Sequence, residues 1–289
     1  MTIWNLGSIN ADHVYSVAQF ARPGETIAAT GFETGLGGKG ANMSVSIARA
    51  GAHVAHIGAV GADGVRWLDR LTEYGVDTRH VARGDVPTGH AIIMVDASGE
   101  NAITIYPGAN RAIADTAIRD ALRGAAAGDT LLFQNETNGQ ETAIAAGGHL
   151  RVAYAAAPFD ADAALALLPR IDLLFVNAVE ARELEQATGQ GIAELPPADI
   201  VVTRGADGAD WHDTRTGETR HYDAVVVDAV DTTGAGDTFT GYVLAALDRG
   251  QPMGQAIGQA IRAAALMVTR HGAADVIPDL AEVRDFGAH

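Results

Sequence analysis

Asp231-Thr232-Thr233-Gly234-Ala235-Gly236-Asp237-Thr238-Phe239, DTTGAGDTF, lies between the β-branched run 224–230 and a long apolar stretch of helical period. The small residues leave the first-turn backbone N–H groups bare, and those donors have no partner inside a helix. With the positive end of the helix dipole they make a nest for a phosphate oxygen or for negative charge that develops in a reaction. Asp237 sits in that turn, where the dipole favours its ionised form, so it can take a proton from a hydroxyl held nearby. The plainer reading is that aspartate commonly decorates a helix N-terminus.

A phosphate-binding turn ahead of a helix suits an alternating α/β chain, and the rest of the sequence alternates in that way. Runs 3–6, 54–60, 130–134, 152–156, 173–176 and 200–203 are short and β-rich, each leading through a polar or glycine turn into a helical stretch, with a helix also at 41–50. Two regions do not fit. Residues 13–34 and 88–106 alternate without a helix between them and carry turn signals such as Ser98-Gly99, so they read as antiparallel strands over one edge of the main fold. Beyond Asp237 the pattern is helical through 239–247 and 256–269. There is no repeat, low-complexity tract or long linker. The expected organisation is one domain, residues 1–289, with lid strands drawn from about 13–34 and 88–106.

Composition narrows the function. With 289 residues, 47% of them hydrophobic, the chain can bury a sizeable core. Its 36 acidic and 20 basic residues give a net charge of -16, which repels polyanions, so nucleic acid and anionic membrane are not expected partners. Cysteine is absent, which removes disulfides, thiolate nucleophiles and Cys-ligated metals. No run approaches the roughly 20 apolar residues that span a bilayer, and the start MTIWNLGSIN lacks a signal pattern. A soluble, cytoplasmic protein is the expectation.

Lys39 is the only lysine in the chain, and it stands inside Gly35-Leu36-Gly37-Gly38-Lys39-Gly40. Its compact ammonium suits a tight loop over a small ligand better than a planar guanidinium does. GLGGKG fits the dinucleotide fingerprint through Gly35, Gly37 and Gly40, but no buried strand directly precedes it. Nor is it a Walker A loop, because Gly40 follows Lys39 and Glu33 stands where the first glycine belongs. What remains is that consecutive glycines let backbone N–H groups approach a ligand, with a helix start near Ala41 aimed at the same place. His53, His56 and His90 lack metal-ligand spacing and read as surface or strand-edge residues.

Taken together, Gly37-Gly38-Lys39-Gly40-Ala41-Asn42, His56-Ile57-Gly58-Ala59-Val60-Gly61-Ala62-Asp63 and DTTGAGDTF resemble the two signatures of the phosphofructokinase-B, or ribokinase-like, family of carbohydrate kinases. Gly7-Ser8-Ile9-Asn10-Ala11-Asp12, Gly108-Ala109-Asn110, Asn177-Ala178-Val179-Glu180 and Thr203-Arg204-Gly205-Ala206-Asp207-Gly208 are similar to further landmarks in the family's order. The resemblance implies a three-layer α/β/α sandwich with a mostly parallel central sheet and a small β-sheet lid. It implies transfer of the γ-phosphoryl of ATP to a primary sugar hydroxyl, with ribose the expected acceptor, Asp237 the base, and Gly234, Ala235 and Gly236 completing the anion hole. Asn10, Asp12, Gly38, Lys39, Asn42 and Glu136 would hold the sugar. Asn177, Glu180, Thr203, Gly205, Gly208 and Gly236 would serve ATP and its Mg²⁺. Asp231, Thr233, Met267, Arg270 and Gly272 would surround an activating K⁺, and a homodimer would form through the lid.

The chain departs from the family at Ala155-Ala156-Ala157-Pro158, at Ile261 and Arg262 near the nucleotide, and at Val276 beside the cation. Other readings stay open: a kinase of the same family acting on a nucleoside, a fructose derivative or a keto-deoxy sugar acid, or a non-catalytic protein that binds sugar or nucleotide. An NAD(P)-dependent dehydrogenase rests on GLGGKG alone.

Overall fold

The computed structural model describes residues 1–286. Its elements begin with β1 (Thr2–Leu6), β2 (Asn10–Ser16), β3 (Gly31–Gly37), α1 (Lys39–Arg49), β4 (His53–Gly61) and α2 (Val65–Glu73). Three strands follow, β5 (Asp77–Gly84), β6 (Gly89–Val95) and β7 (Asn101–Tyr106), and then α3 (Asp115–Leu122), β8 (Thr130–Phe133), α4 (Gln140–Ala146) and β9 (Arg151–Ala155). After these come α5 (Ala161–Leu167), β10 (Leu173–Asn177), α6 (Ala178–Thr188) and β11 (Asp199–Thr203). The chain closes with β12 (Ala209–Asp213), β13 (Glu218–Tyr222), α7 (Ala235–Asp248), α8 (Met253–Met267) and α9 (Leu280–Phe286).

Nine strands form one sheet in the order β13-β12-β11-β10-β9-β8-β1-β4-β5. The pairs from β11 across to β5 are parallel, and β12 and β13 close one edge in antiparallel fashion. Alternate side chains along each parallel strand build two separate cores, which makes the three layers. Ile3, Leu132, Ala153, Phe175 and Val201 pack with residues of α1, α2, α7 and α8. Leu6, Phe133, Tyr154, Val176 and Val202 pack with α3 to α6 on the opposite face. Because strands buried on both faces read as continuous apolar runs, they were the legible part of the sheet.

The structure departs from the sequence pattern at four places. The run 200–203 leads not into a helix but into a 3-10 turn and the hairpin β12–β13. β5 and this hairpin were not anticipated: DTRHVARG is a polar edge strand whose burial is only partial, so it carries no apolar run. Residues 224–230 form no strand, and Val226 is 96% exposed. Finally, the smaller sheet, β3-β2-β6-β7, reaches further toward the body than 13–34, starting at Asn10 and ending at Gly37, while 17–30 contribute no strand to it. It is also mixed, since β2 and β6 run parallel between two antiparallel pairs.

Candidate active site

The C-terminal ends of the parallel strands share one edge, where open α/β sheets bind ligands. The turn after β1, Glu136 after β8, Asn177 ending β10 and Thr203 ending β11 all lie there. The two glycine signatures meet at the same edge: Asn42 of α1 donates its amide N–H to the Asp237 carboxylate of α7 at 2.9 Å, 195 residues away in sequence. Ser46 Oγ donates to Thr238 O at 2.8 Å in the next turn, which locks the two helices together.

Gly234 is the N-cap of α7, and its left-handed φ of 75° is the conformation glycine adopts at little cost. Ala235 N–H already donates to Thr232 O at 3.2 Å, so of the four amides in this turn those of Gly234, Gly236 and Asp237 have no partner among the described residues. Asp237 is buried, and desolvation raises its pKa against the pull of Lys39 and the Asn42 hydrogen bond, with Glu136 adding to the rise. The helix dipole alone therefore does not set its charge. Burial makes it a stronger base than a free carboxylate. Lys39 is half-buried, and the field of Asp237 first, then Glu136 and Glu180, raises its pKa although burial opposes this.

Around Lys39 the residues expected to hold an acceptor converge. Glu136 Oε2 accepts Ser8 Oγ–H at 2.5 Å and the Lys39 backbone N–H at 3.0 Å, which fixes the carboxylate against the loop. Burial, and then the neighbouring Glu136, push the Asp12 carboxyl up to about 7. The glycines of GGKG answer mainly to packing and not to ligand approach. A Cβ at Gly37 would stand 2.0 Å from Asp12 Oδ2, and one at Gly40 would meet Ser8 N at 2.3 Å. Asn42 Oδ1 is buried without a hydrogen-bond partner among the described residues, an unmet acceptor on the side chain that bonds Asp237.

A cavity of about 330 Å³ opens on the other side of the α7 start. Thr203, Gly205, Gly208 and Gly236 line it together with Ile261; most of the remaining wall is apolar, from Ala224 to Val227 and from Ala264, Ala265 and Val268. Residues 224–227 and 229 of the irregular run thus form part of this wall. Asn177 and Glu180 form a capping box on α6: Asn177 Oδ1 accepts the N–H groups of Val179 and Glu180 at 2.8 and 2.9 Å, and Glu180 Oε2 accepts Asn177 N–H at 2.8 Å. One oxygen of Glu180 stays outside the cap, and burial raises the carboxyl's pKa while Asn177 N–H and Lys39 lower it. Asp231 accepts Thr233 N–H at 2.9 Å and Gly272 N–H at 3.1 Å, joining the loop before α7 to the turn after α8. Met267 O accepts Arg270 N–H at 3.0 Å in that same turn.

Two residues stand inside quoted stretches with no role expected of them, and a third was placed wrongly. Ser8 stands in the Gly7–Asp12 stretch but carries no chemistry signal of its own, and Asn110 is 1% exposed at the root of the smaller sheet. His56 is not a surface residue: it is fully buried between Ser44 Oγ at 2.8 Å and Gly7 O at 3.0 Å, and burial pushes its pKa down to about 4. Asp63 accepts Thr88 N–H and Oγ1–H at 3.0 and 2.8 Å, tying the main sheet to β6.

The sequence pattern of the pfkB family carbohydrate kinases matches residues 3–280. A ribokinase of Haemophilus influenzae is 36% identical over 310 aligned positions, covering 100% of this chain and 99% of its own. A crystal structure of ribokinase from Thermotoga maritima superposes with a TM-score of 0.90 at 30% identity, covering 100% of both chains. The structure of Arabidopsis thaliana ribokinase complexed with ribose and ATP superposes with a TM-score of 0.82 at 26% identity, covering 99% of this chain and 97% of that one.

Proposed function

The chain belongs to the pfkB family of carbohydrate kinases, and on that footing we propose that it transfers the γ-phosphoryl of ATP to the primary hydroxyl of ribose. The observation that carries this reading is the buried Asp237 among unpaired α7 amides, hydrogen-bonded to Asn42 and in the field of the chain's only lysine. The acceptor hydroxyl gives its proton to the Asp237 carboxylate as its oxygen bonds to the γ-phosphorus. The bond from that phosphorus to the β-bridging oxygen breaks, and ADP leaves. The amides of Gly234, Gly236 and Asp237 take the charge that grows on the moving group; each such donor is worth a few kcal/mol. Asp12, Glu136, Asn10, Asn42, Lys39 and Gly38 hold the sugar, while Thr203, Gly205, Gly208 and Gly236 border the nucleotide.

Mg²⁺ supplied with ATP neutralises charge on the phosphate oxygens. Glu180 fits it, because it keeps an oxygen outside its cap and lies in the field of Glu183 and Asp237, and Asn177 would hold that carboxylate in place through the cap. Potassium beside Asp231, Thr233, Met267, Arg270 and Gly272 belongs to the same proposal; it fails if rates are equal in sodium-only and potassium buffers. The four-stranded sheet is the lid of a single catalytic unit. Its exposed Phe32, Ile92, Ile103, Ile105 and Tyr106 support a homodimer through that surface. No helix among the described residues is long and apolar enough to cross a membrane, and dependence on ATP supports a cytoplasmic location.

Coupled ADP release with ribose, 2-deoxyribose, fructose, inosine and a keto-deoxy sugar acid tests the substrate. Ribose should give the highest kcat/KM. A nucleoside or sugar acid that outperforms it would overturn the assignment, and the acid is disfavoured because Asp12, Glu136 and Asp237 face a single ammonium.

A further inference from the structure

We propose that Asn110 is a positioning residue for the acceptor site: it orients the Asn10 side chain so that only N–H is offered to the bound sugar. The inference rests on reading that pocket as a sugar site. Asn110 lies in the 3-10 turn Gly108–Arg111, just after the lid strand β7, and touches no part of the nucleotide cavity.

A chain of donors and acceptors leaves one arrangement. The backbone N–H of Ile9 can only donate, and it points at the Asn110 side chain at 2.9 Å, so the atom it meets is Oδ1. Asn110 Nδ2 therefore faces the other way, donating to the Asn10 side chain at 2.7 Å and more weakly to Ile9 O at 3.3 Å. A donor requires an acceptor, so the Asn10 atom at that contact is Oδ1. Asn10 Nδ2 is left with no hydrogen-bond partner among the described residues, and it is the atom available to a ligand. Asn10 thus contributes a donor to a pocket in which Asp12 and Glu136 contribute acceptors. A sugar oxygen that meets Asn10 must use a lone pair there.

The contact also depends on the root of the lid. Asn10 and Gly89 are partners at the first step of β2 and β6. A Cβ at Gly89 would stand 2.2 Å from Asn110 Nδ2 and 2.5 Å from Asn10 Oδ1, so the bond passes through space that only glycine leaves open. Asn110 is itself anchored on the body of the protein, since its carbonyl accepts Asn138 N–H at 3.3 Å from the loop before α4.

Asn110→Asp tests this, because the new carboxylate still accepts Ile9 N–H but cannot donate. Asn10 must then turn its amide nitrogen away from the sugar and present an oxygen. The ribose KM should rise about tenfold or more, with kcat within about threefold and the KM for ATP within about twofold. In an Asn10→Ala background the same change should add nothing to the ribose KM, since the group it acts through is gone. Asn110→Ser, which removes the amide without adding charge, replaces the Asp variant if circular dichroism shows that variant unfolded, and should move the ribose KM in the same direction. A folded variant whose ribose KM stays within twofold of wild type overturns the proposal. So does an equal loss toward ribose and ATP, or a full additive effect beside Asn10→Ala. Wild-type turnover of ribose is measured first, so that failure of the sugar reading is seen separately from failure of this inference.

Discussion

Replacing Asp12 with Asn should stabilise the protein while weakening its grip on the sugar, with an effect that depends on pH. Burial, and then the field of Glu136, raise this carboxyl from 3.8 to about 7. Between those values the folded chain holds a proton that the unfolded chain has released. The stability this provides is full below the unfolded pKa and is lost as the pH rises through the folded one. At pH 8 the ionised group costs the fold on the order of 4 kcal/mol at most, and roughly half of that where pocket water screens it. Asparagine has the same shape and no charge, so Asp12→Asn should be more stable at pH 8 by about 2–4 kcal/mol, or about 5–10 °C in melting temperature. The gain should shrink toward nothing near pH 4, where both side chains are neutral. Thermal or urea unfolding at several pH values measures it, and initial rates should show the ribose KM raised about tenfold or more. A variant no more stable than wild type at pH 8, or one whose gain is the same at every pH, would refute the reasoning.

Gly37→Ala should fold yet bind sugar poorly, because its Cβ would stand 2.0 Å from Asp12 Oδ2 and force that carboxylate aside; rates should give a ribose KM at least about tenfold higher with the KM for ATP unchanged. Glu180→Gln keeps a group able to accept the N-cap N–H of Asn177, so its melting temperature should stay within about 1 °C while the Mg²⁺ concentration for half-maximal rate rises about tenfold. An unchanged Mg²⁺ requirement would confine Glu180 to capping.

The apolar runs of the central strands were readable because both of their faces are buried, so each strand carries its own signal. β5, β12 and β13 were not, because β5 and β13 are edge strands that share burial with solvent, β12 beside β13 is only partly buried, and DTRHVARG looks like a loop. The smaller sheet was legible but clipped at its roots: GLGGKG reads as a glycine loop, whereas Gly37 ends a strand and lacks a side chain so that Asp12 has room. Asp237, Lys39 and Asn42 stand in the two glycine motifs, and the fold brings them together, while Thr203 and Gly208 border a cavity the sequence does not announce. The parts that depend on pairing were hidden. No spacing announces that Ser8 orients Glu136 from 128 positions away, that Thr232 O occupies the amide of Ala235, or that His56 is a buried neutral link between Ser44 and Gly7.

The central claim is that Asp237 takes the acceptor's proton. Asp237→Asn keeps the shape of the side chain and its place in the first turn of α7 while removing the base. Steady-state turnover with ribose, measured alongside equilibrium binding of ATP, should show kcat reduced at least about 100-fold with ATP affinity within about twofold. The acid limb of the wild-type kcat profile, set above the ordinary carboxylate range by the burial of Asp237, should vanish in the variant. Turnover close to wild type, with that acid limb intact, would contradict the account.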